Sequence, residues 1–285
     1  MGALRDQMDR DMVLRGMSPR TRESYLGAVA GLAKFYGRSP DQLNASQVQA
    51  YLLHLIEERK LAWSTCNIAV SALRFFYHTT LKQPQAQFDL PRARAPQRLP
   101  QILAREEIAR LIDGTPNPKH RLILMLAYGA GLRVSELCQL KIGDIDSARS
   151  CIRVEQGKGA KDRYTLLSAR LLAELRHYWA LYRPPLWLFP SPRDPRTHID
   201  AQTAQRVFRA ALTRTGITKA CSIHSLRHAF ATHLLEAKVD VHTIQRLMGH
   251  GHISSTLRYF HLADRHFAST ASPLELLSTP GGSSA

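Results

Sequence analysis

The chain has 285 residues, 44% of them hydrophobic, and 39 lysines and arginines against 23 acidic residues give it a formal net charge of +16. The apolar content excludes a wholly disordered chain, and no apolar run approaches the roughly 20 residues needed to cross a bilayer. Such a charge favours a polyanionic partner, nucleic acid before any other, and domains of about 100 to 200 residues make two the expected number.

In chain order, the start Met1-Gly2-Ala3-Leu4-Arg5-Asp6 lacks an apolar signal core, and Asp6 stands where a myristoylation signal wants Ser or Thr. The expected location is cytoplasmic, with no membrane partner. Ser18-Pro19 opens a helix over about residues 20 to 36, where Tyr25, Val29, Leu32, Ala33 and Tyr36 recur at helical spacing. A second helix follows Ser46, with Val48, Tyr51, Leu52, Leu55 and Ile56 at helical spacing, and a third follows Ser64, with Ile68, Ser71, Ala72, Phe75 and Phe76. Residues 1 to 82 thus read as a small helical domain.

From 83 to 102 the periodicity dissolves into Pro84, Pro91, Pro96 and Pro100 alternating with Arg92, Arg94 and Arg98. Proline at that density prevents both helix and central strand, which makes this a linker. Its arginines fit either a solubilising run or a strap crossing a DNA backbone.

A second domain is expected over 103 to 277, opening on a helix start at Leu103-Ala104-Arg105-Glu106-Glu107-Ile108 and continuing into an apolar helix near 120 to 128. Strands over about 151 to 155 and 163 to 167 flank Gln156-Gly157-Lys158-Gly159-Ala160-Lys161-Asp162, a hairpin connection. Helices then cover about 169 to 181, 201 to 215, 225 to 237, 242 to 248 and 255 to 262, and the Gly/Ser-rich residues 278 to 285 form a tail. The fold class is mainly α with a small β-hairpin or sheet, in two domains. The proline-rich stretch 183 to 190 has no catalytic reading.

Cys66, Cys138, Cys151 and Cys221 are far apart with no CxxC pair, so we expect neither a zinc site nor a disulfide framework. His224 and His228 have the i, i+4 spacing of a helical ligand pair, but no Glu follows His224 as in HExxH. No metal and no cofactor is expected.

The residues that carry chemistry are dispersed. In Tyr128-Gly129-Ala130-Gly131-Leu132-Arg133-Val134-Ser135-Glu136, two glycines break a helix, Arg133 starts the next, and Glu136 lies one turn on, able to hold the guanidinium. Taken alone, the two would be an exposed i, i+3 pair. Lys158 sits between glycines at the hairpin tip, with Lys161 and Arg163 as rivals for the same role. His224 and Arg227 share a helix face, and Gly249 ends the following helix just before His250. Tyr259 comes nine positions later. His228 and His233, on the helix of His224, read as ordinary half-buried histidines.

Arg133, Lys158, His224-x-x-Arg227, His250 and Tyr259, in that order, resemble the catalytic set of the tyrosine recombinases, also called the phage-integrase family, and most of all its Xer-like members. The resemblance spans almost the whole chain. It implies an N-terminal core-binding domain of the SAM-like integrase type and a C-terminal DNA breaking-rejoining domain. It also implies cleavage of duplex DNA by Tyr259 through a 3′-phosphotyrosyl intermediate, with strand exchange in a homotetramer on two DNA sites or in a heteromer with a related recombinase. Arg133, Arg227 and His250 would hold the phosphate, His224 would be the base, and Lys158 the acid. The segment between Lys158 and His224 lacks the extra helix of integron integrases, and Ser272-Pro273-Leu274-Glu275-Leu276-Leu277 could dock on a neighbouring protomer or fold back. Two other functions are compatible with the same residues: a type IB topoisomerase-like relaxing enzyme and a catalytically silent DNA-binding regulator.

Overall fold

The computed structural model describes residues 2–83, 101–155, 162–250, 253–257 and 259. The chain divides into two compact units, Met1–Arg98 and Leu99–Ala285. Expectations that fall on the linker, on Lys158 and Lys161, on Ser272 to Leu277 and on the tail lie outside the described residues.

Among its described residues, the first unit holds four α-helices: α1 (Gly2–Leu14), α2 (Pro19–Tyr36), α3 (Ala45–Glu57) and α4 (Trp63–Phe75). Their starts follow from local chemistry. Ser18 accepts a hydrogen bond from the Thr21 backbone N–H at 3.2 Å with Pro19 in the first turn, and Asn44 and Gln47 cap α3 reciprocally at 2.9 and 3.1 Å. Gly37 takes the left-handed conformation that ends α2, at φ 61°. Met8, Met12, Leu32, Val48, Leu52, Cys66, Leu73 and Phe76 form the core, each large apolar side chain contributing about 1.5–3 kcal/mol by leaving water.

Helix α1 was not expected from the sequence. Only Met8 and Met12 are buried along it, two apolar positions one turn apart among charged neighbours, too weak a period to announce a helix. Helix α4 runs on into a π-helical turn, Phe76–Thr80, and Tyr77 Oη donates from within the core to the Pro40 carbonyl at 2.5 Å.

The second unit is built on α6 (Pro118–Gly129), whose Leu122 to Ala127 are all buried. Around it pack α5 (Arg105–Asp113), α7 (Val134–Cys138), α8 (Ala169–Tyr182), α9 (Ala201–Thr215) and α10 (Ile223–Glu236); α11 (Val241–Met248) lies against the sheet and α10, and α12 (Ser254–Leu257) against α11. The sheet is antiparallel in the order β1 (Ile145–Asp146), β2 (Cys151–Val154), β3 (Arg163–Leu166), with Ile145 opposite Ile152 and Val154 opposite Arg163. Ile152, Val154 and Thr165 face the core. The two longer strands were expected; β1, only two residues long, carries no alternation by which to see it. No helix among the described residues is long and apolar enough to cross a membrane.

The 183–190 stretch has a structural account. Trp187 bridges to Lys141 and Pro190 to His198, Leu188 N–H donates to the Leu140 carbonyl at 2.8 Å, and Phe189 is buried. Tyr178 Oη on α8 donates to the Leu188 carbonyl at 3.0 Å, so the loop is pinned across one end of the helical layer.

Candidate active site

The polypeptide between α6 and α7 turns sharply to deliver Arg133. Gly131 adopts φ 60°, and a Cβ at that position would run into the Phe230 ring, so both the conformation and the space demand glycine. Thr165 Oγ1 of β3 fixes this turn by donating to the Ala130 carbonyl at 2.8 Å. Arg133 then caps α7, its backbone N–H donating to Glu136 Oε2 at 2.7 Å while its Nη1 donates to Oε1 at 2.6 Å. Glu136 is buried, not the exposed partner that the pair suggests in isolation.

Glu136 is the hub of the site. Arg163, at the start of β3, meets both its carboxylate oxygens in a fork at 2.7 Å each and reaches the Leu247 carbonyl with Nε at 3.0 Å. Arg227, only 1% exposed, lies 3.8 Å from the same carboxylate and donates to the carbonyls of Gly131 and, at 2.5 Å, Met248. Arg133 Nη2 donates to the Gly249 carbonyl at 3.0 Å. Three guanidiniums thus face one carboxylate, and all three also hold the C-terminal carbonyls of α11 or the chain beside them, where the helix dipole is negative. Three positive charges less one negative leave a surplus of two positive charges in this cluster, suited to an anionic group such as a phosphodiester.

Burial alone would raise the Glu136 carboxyl, yet the Arg163 fork, the Arg133 backbone N–H and the Arg133 side chain outweigh it and bring the pKa down to about 2. Burial, followed by the charge of Arg133, lowers Arg227 to about 9, which leaves it protonated at neutral pH. His224 is lowered by burial and then by Arg227 and Arg133, so its ring is neutral at pH 7.

Because the folded pKa of Glu136 lies below its unfolded value, its stabilising contribution is present above about pH 4.5 and is lost as pH falls towards 2. We therefore predict that the stability gap between the wild type and Glu136→Gln, on the order of 3 kcal/mol near neutrality, closes between pH 4.5 and 2. Urea unfolding across that range measures it; a gap independent of pH would mean that Glu136 does not carry the charge balance.

Helix α10 presents His224, Arg227 and His228. Gly249 ends α11 in the left-handed conformation at φ 61°, leaving His250 just beyond it with Nδ1 2.8 Å from Thr256 Oγ1 on α12. Tyr259 is 6% exposed, packed with Phe230, Ala231, Leu235, Ile244 and Met248. Its ring lies parallel to that of His250 at 6.3 Å, and its Oη is 3.0 Å from Nδ1 of His228. The fold therefore gathers Arg133, Glu136, His224, Arg227, His250 and Tyr259 around one wall, while Lys158 lies outside the described residues.

Residues 101–266, more than half of the chain, match the model of the phage integrase family, and residues 4–87 match the N-terminal SAM-like domain of phage integrases. The chain belongs to the phage integrase family. Among relatives of the recombinase, the candidate integrase/recombinase y4qK of Sinorhizobium fredii is 43% identical over 98% of this chain and 91% of its own. Tyrosine recombinase XerA of Thermococcus kodakarensis is 35% identical over 95% of each chain. In fold, the recombinase resembles the integrase of transposon Tn1549 solved in complex with circular intermediate DNA, at a TM-score of 0.70 and 19% identity over 94% of this chain and 99% of that one. The family's activity is this chain's activity: site-specific cleavage and rejoining of DNA by a tyrosine-type strand transferase.

Two residues of this recombinase do more than their sequence positions suggest. Arg163, a rival of Lys158 on paper, is committed to Glu136 and α11, which makes it a positioning residue for Arg133. His228, read from sequence as an ordinary half-buried histidine, touches the Tyr259 hydroxyl. A neighbouring Arg or His in the motif was visible, but the partners are 27 and 31 residues away, beyond any helical or strand period.

Proposed function

We propose that Tyr259 is the nucleophile of this recombinase and that Arg133, Arg227, His224 and His250, with Lys158, form its phosphate site. The observation that carries the reading is the convergence of two arginines, two histidines and a buried tyrosine on a wall whose only carboxylate, among the described residues gathered there, is already shared by three guanidiniums. The partner is double-stranded DNA, in keeping with the net charge of +16 and with the DNA held by the Tn1549 integrase.

Arg133 and Arg227 donate to the non-bridging oxygens and balance the charge that grows in the pentacovalent transition state. His250 adds a donor, and the neutral His224 supplies a further one or takes a proton. Tyr259 attacks phosphorus, the bond to the 5′ oxygen breaks, and Lys158 protonates that oxygen. The 3′-phosphotyrosyl bond conserves the energy of the broken link, so a second 5′-hydroxyl reseals the strand without ATP. Residues 1–82 act as the core-binding domain and 103–277 as the catalytic domain, and exchange proceeds in the cytoplasm in a homotetramer on two sites, or with a related recombinase as co-subunit. The test is a nicked duplex carrying the recombination site, recovered from a random DNA library by binding: a covalent protein–DNA complex should accumulate as the nicked fragment diffuses away, and no covalent complex on any recovered site would overturn the proposal.

A further inference from the structure

We propose that His228 is a catalytic residue of this site, the group that accepts the Tyr259 proton through its Nδ1 during cleavage and returns it during rejoining; the inference rests on the reading of Tyr259 as nucleophile. The geometry is direct. His228 Nδ1 stands 3.0 Å from Tyr259 Oη, within the range of a proton-transferring hydrogen bond, and the two rings are tilted at 50° with centroids 5.6 Å apart. His224, the base expected from sequence, meets His228 edge-on with centroids 4.6 Å apart, so the two histidines of α10 stand side by side with His228 at the phenol.

The groups around His228 favour this division. His224 and Arg227 share its helix, Tyr259 faces it from the segment after α12, and the His250 ring lies parallel to that of the same tyrosine. Free phenol titrates near ~10 and free imidazole near ~6.5, so transfer completes only as the phenolate oxygen bonds to phosphorus. The step balances: the Oη–H bond breaks, Nδ1 gains the proton, the Oη–P bond forms, and the P–O5′ bond breaks with its electron pair leaving on the 5′ oxygen. Rejoining reverses each bond, with the imidazolium handing its proton back to Oη.

Three arms test it on the full-length protein. With the nicked duplex, His228→Leu and His228→Asn should slow covalent-complex formation by about 100-fold or more while DNA binding stays within a few-fold; Asn can hydrogen-bond the phenol but cannot carry its proton. Replacing the scissile 5′ oxygen with sulfur, a leaving group that needs no proton, should restore Lys158→Ala but neither His228 variant. Wild-type speed in His228→Asn, or rescue of either His228 variant by sulfur, would overturn the assignment. A third arm needs no histidine variant: in ¹⁵N-histidine-labelled protein, His228 Nδ1 should resonate as an unprotonated acceptor and shift in Tyr259→Phe, and a protonated Nδ1 would equally overturn it. If Tyr259→Phe itself still forms the adduct, the nucleophile is wrong; if it is inert while both His228 variants cleave at full speed, only the present assignment falls.

Discussion

Tyr259→Phe should form no covalent complex with DNA, while binding the same duplex as tightly as the wild type. The substitution removes one oxygen and keeps the ring that fills the space among Phe230, Ala231, Leu235, Ile244 and Met248, so folding and DNA contacts are undisturbed. What disappears is the only atom in this reading that can displace the 5′ oxygen. A residual adduct would place the nucleophile elsewhere and dissolve the argument built on this wall. The expected loss is complete within detection, against which a slowing of even 10⁴-fold, typical of a lost general base, would be distinguishable (on the order of 10²–10⁴).

The second large effect concerns the two arginines. Arg133→Ala and Arg227→Ala should each lower the cleavage rate by roughly 10²–10³-fold, the usual consequence of removing one charged donor from a transition-state oxyanion site. The two differ in what else they lose. Arg133 is partly exposed, so its loss gives up its contacts to Glu136 and the Gly249 carbonyl but leaves the carboxylate forked to Arg163, and should cost less stability than the loss of Arg227. Arg227 is buried and ties the Gly131 turn to the end of α11, so its removal also orphans two carbonyls and should destabilise the second unit by about 1–3 kcal/mol. Single-turnover cleavage and thermal unfolding, measured side by side with DNA affinity, separate these contributions. Affinity should persist in both, since binding draws on many phosphate contacts and the whole basic surface. Affinity falling in step with cleavage would assign the arginines a structural task.

The histidines, arginines and tyrosine were legible in the sequence because their identities and order match a family pattern, and because local chemistry marked the ends of their helices. The Ser18-Pro19 helix start and Gly249 before His250 each announce a boundary that the fold realises, since a cap of this kind needs no tertiary context. Helix α9, expected over 201 to 215, spans those residues, with the Asp200 side chain capping its start. What the sequence concealed is tertiary. Glu136 reads as the far end of an exposed pair until β3 brings Arg163 onto it, and the fork that depresses its carboxyl to about 2 joins residues on different elements. The helical period sets His228 on the face of His224 and His233 on another, but it does not say what either meets: one reaches Tyr259 and the other Tyr128, at 3.0 Å in each case. Helix α1 and strand β1 escaped because each offers at most two buried positions, too few for a period to form.

The same contacts stabilise a wall with a surplus of positive charge before DNA arrives. The arginines are occupied by Glu136 and by the carbonyls of Gly131, Leu247, Met248 and Gly249, so their geometry is set in advance and little reorganisation is needed when a phosphate docks. Arg163 takes no part in contacting the phosphate in this account; it holds the carboxylate that holds Arg133.

In the proposed reaction Tyr259 becomes joined to the 3′ phosphate of the cut strand. The most direct measurement is to trap the complex on a nicked duplex, digest protein and DNA, and locate the nucleotide-bearing peptide by mass spectrometry. The expected result is a single modified peptide containing Tyr259, linked through the phenolic oxygen to a 3′-nucleotide, with a free 5′-hydroxyl on the released strand. A modified residue other than Tyr259, or a linkage to the 5′ phosphate, would contradict it.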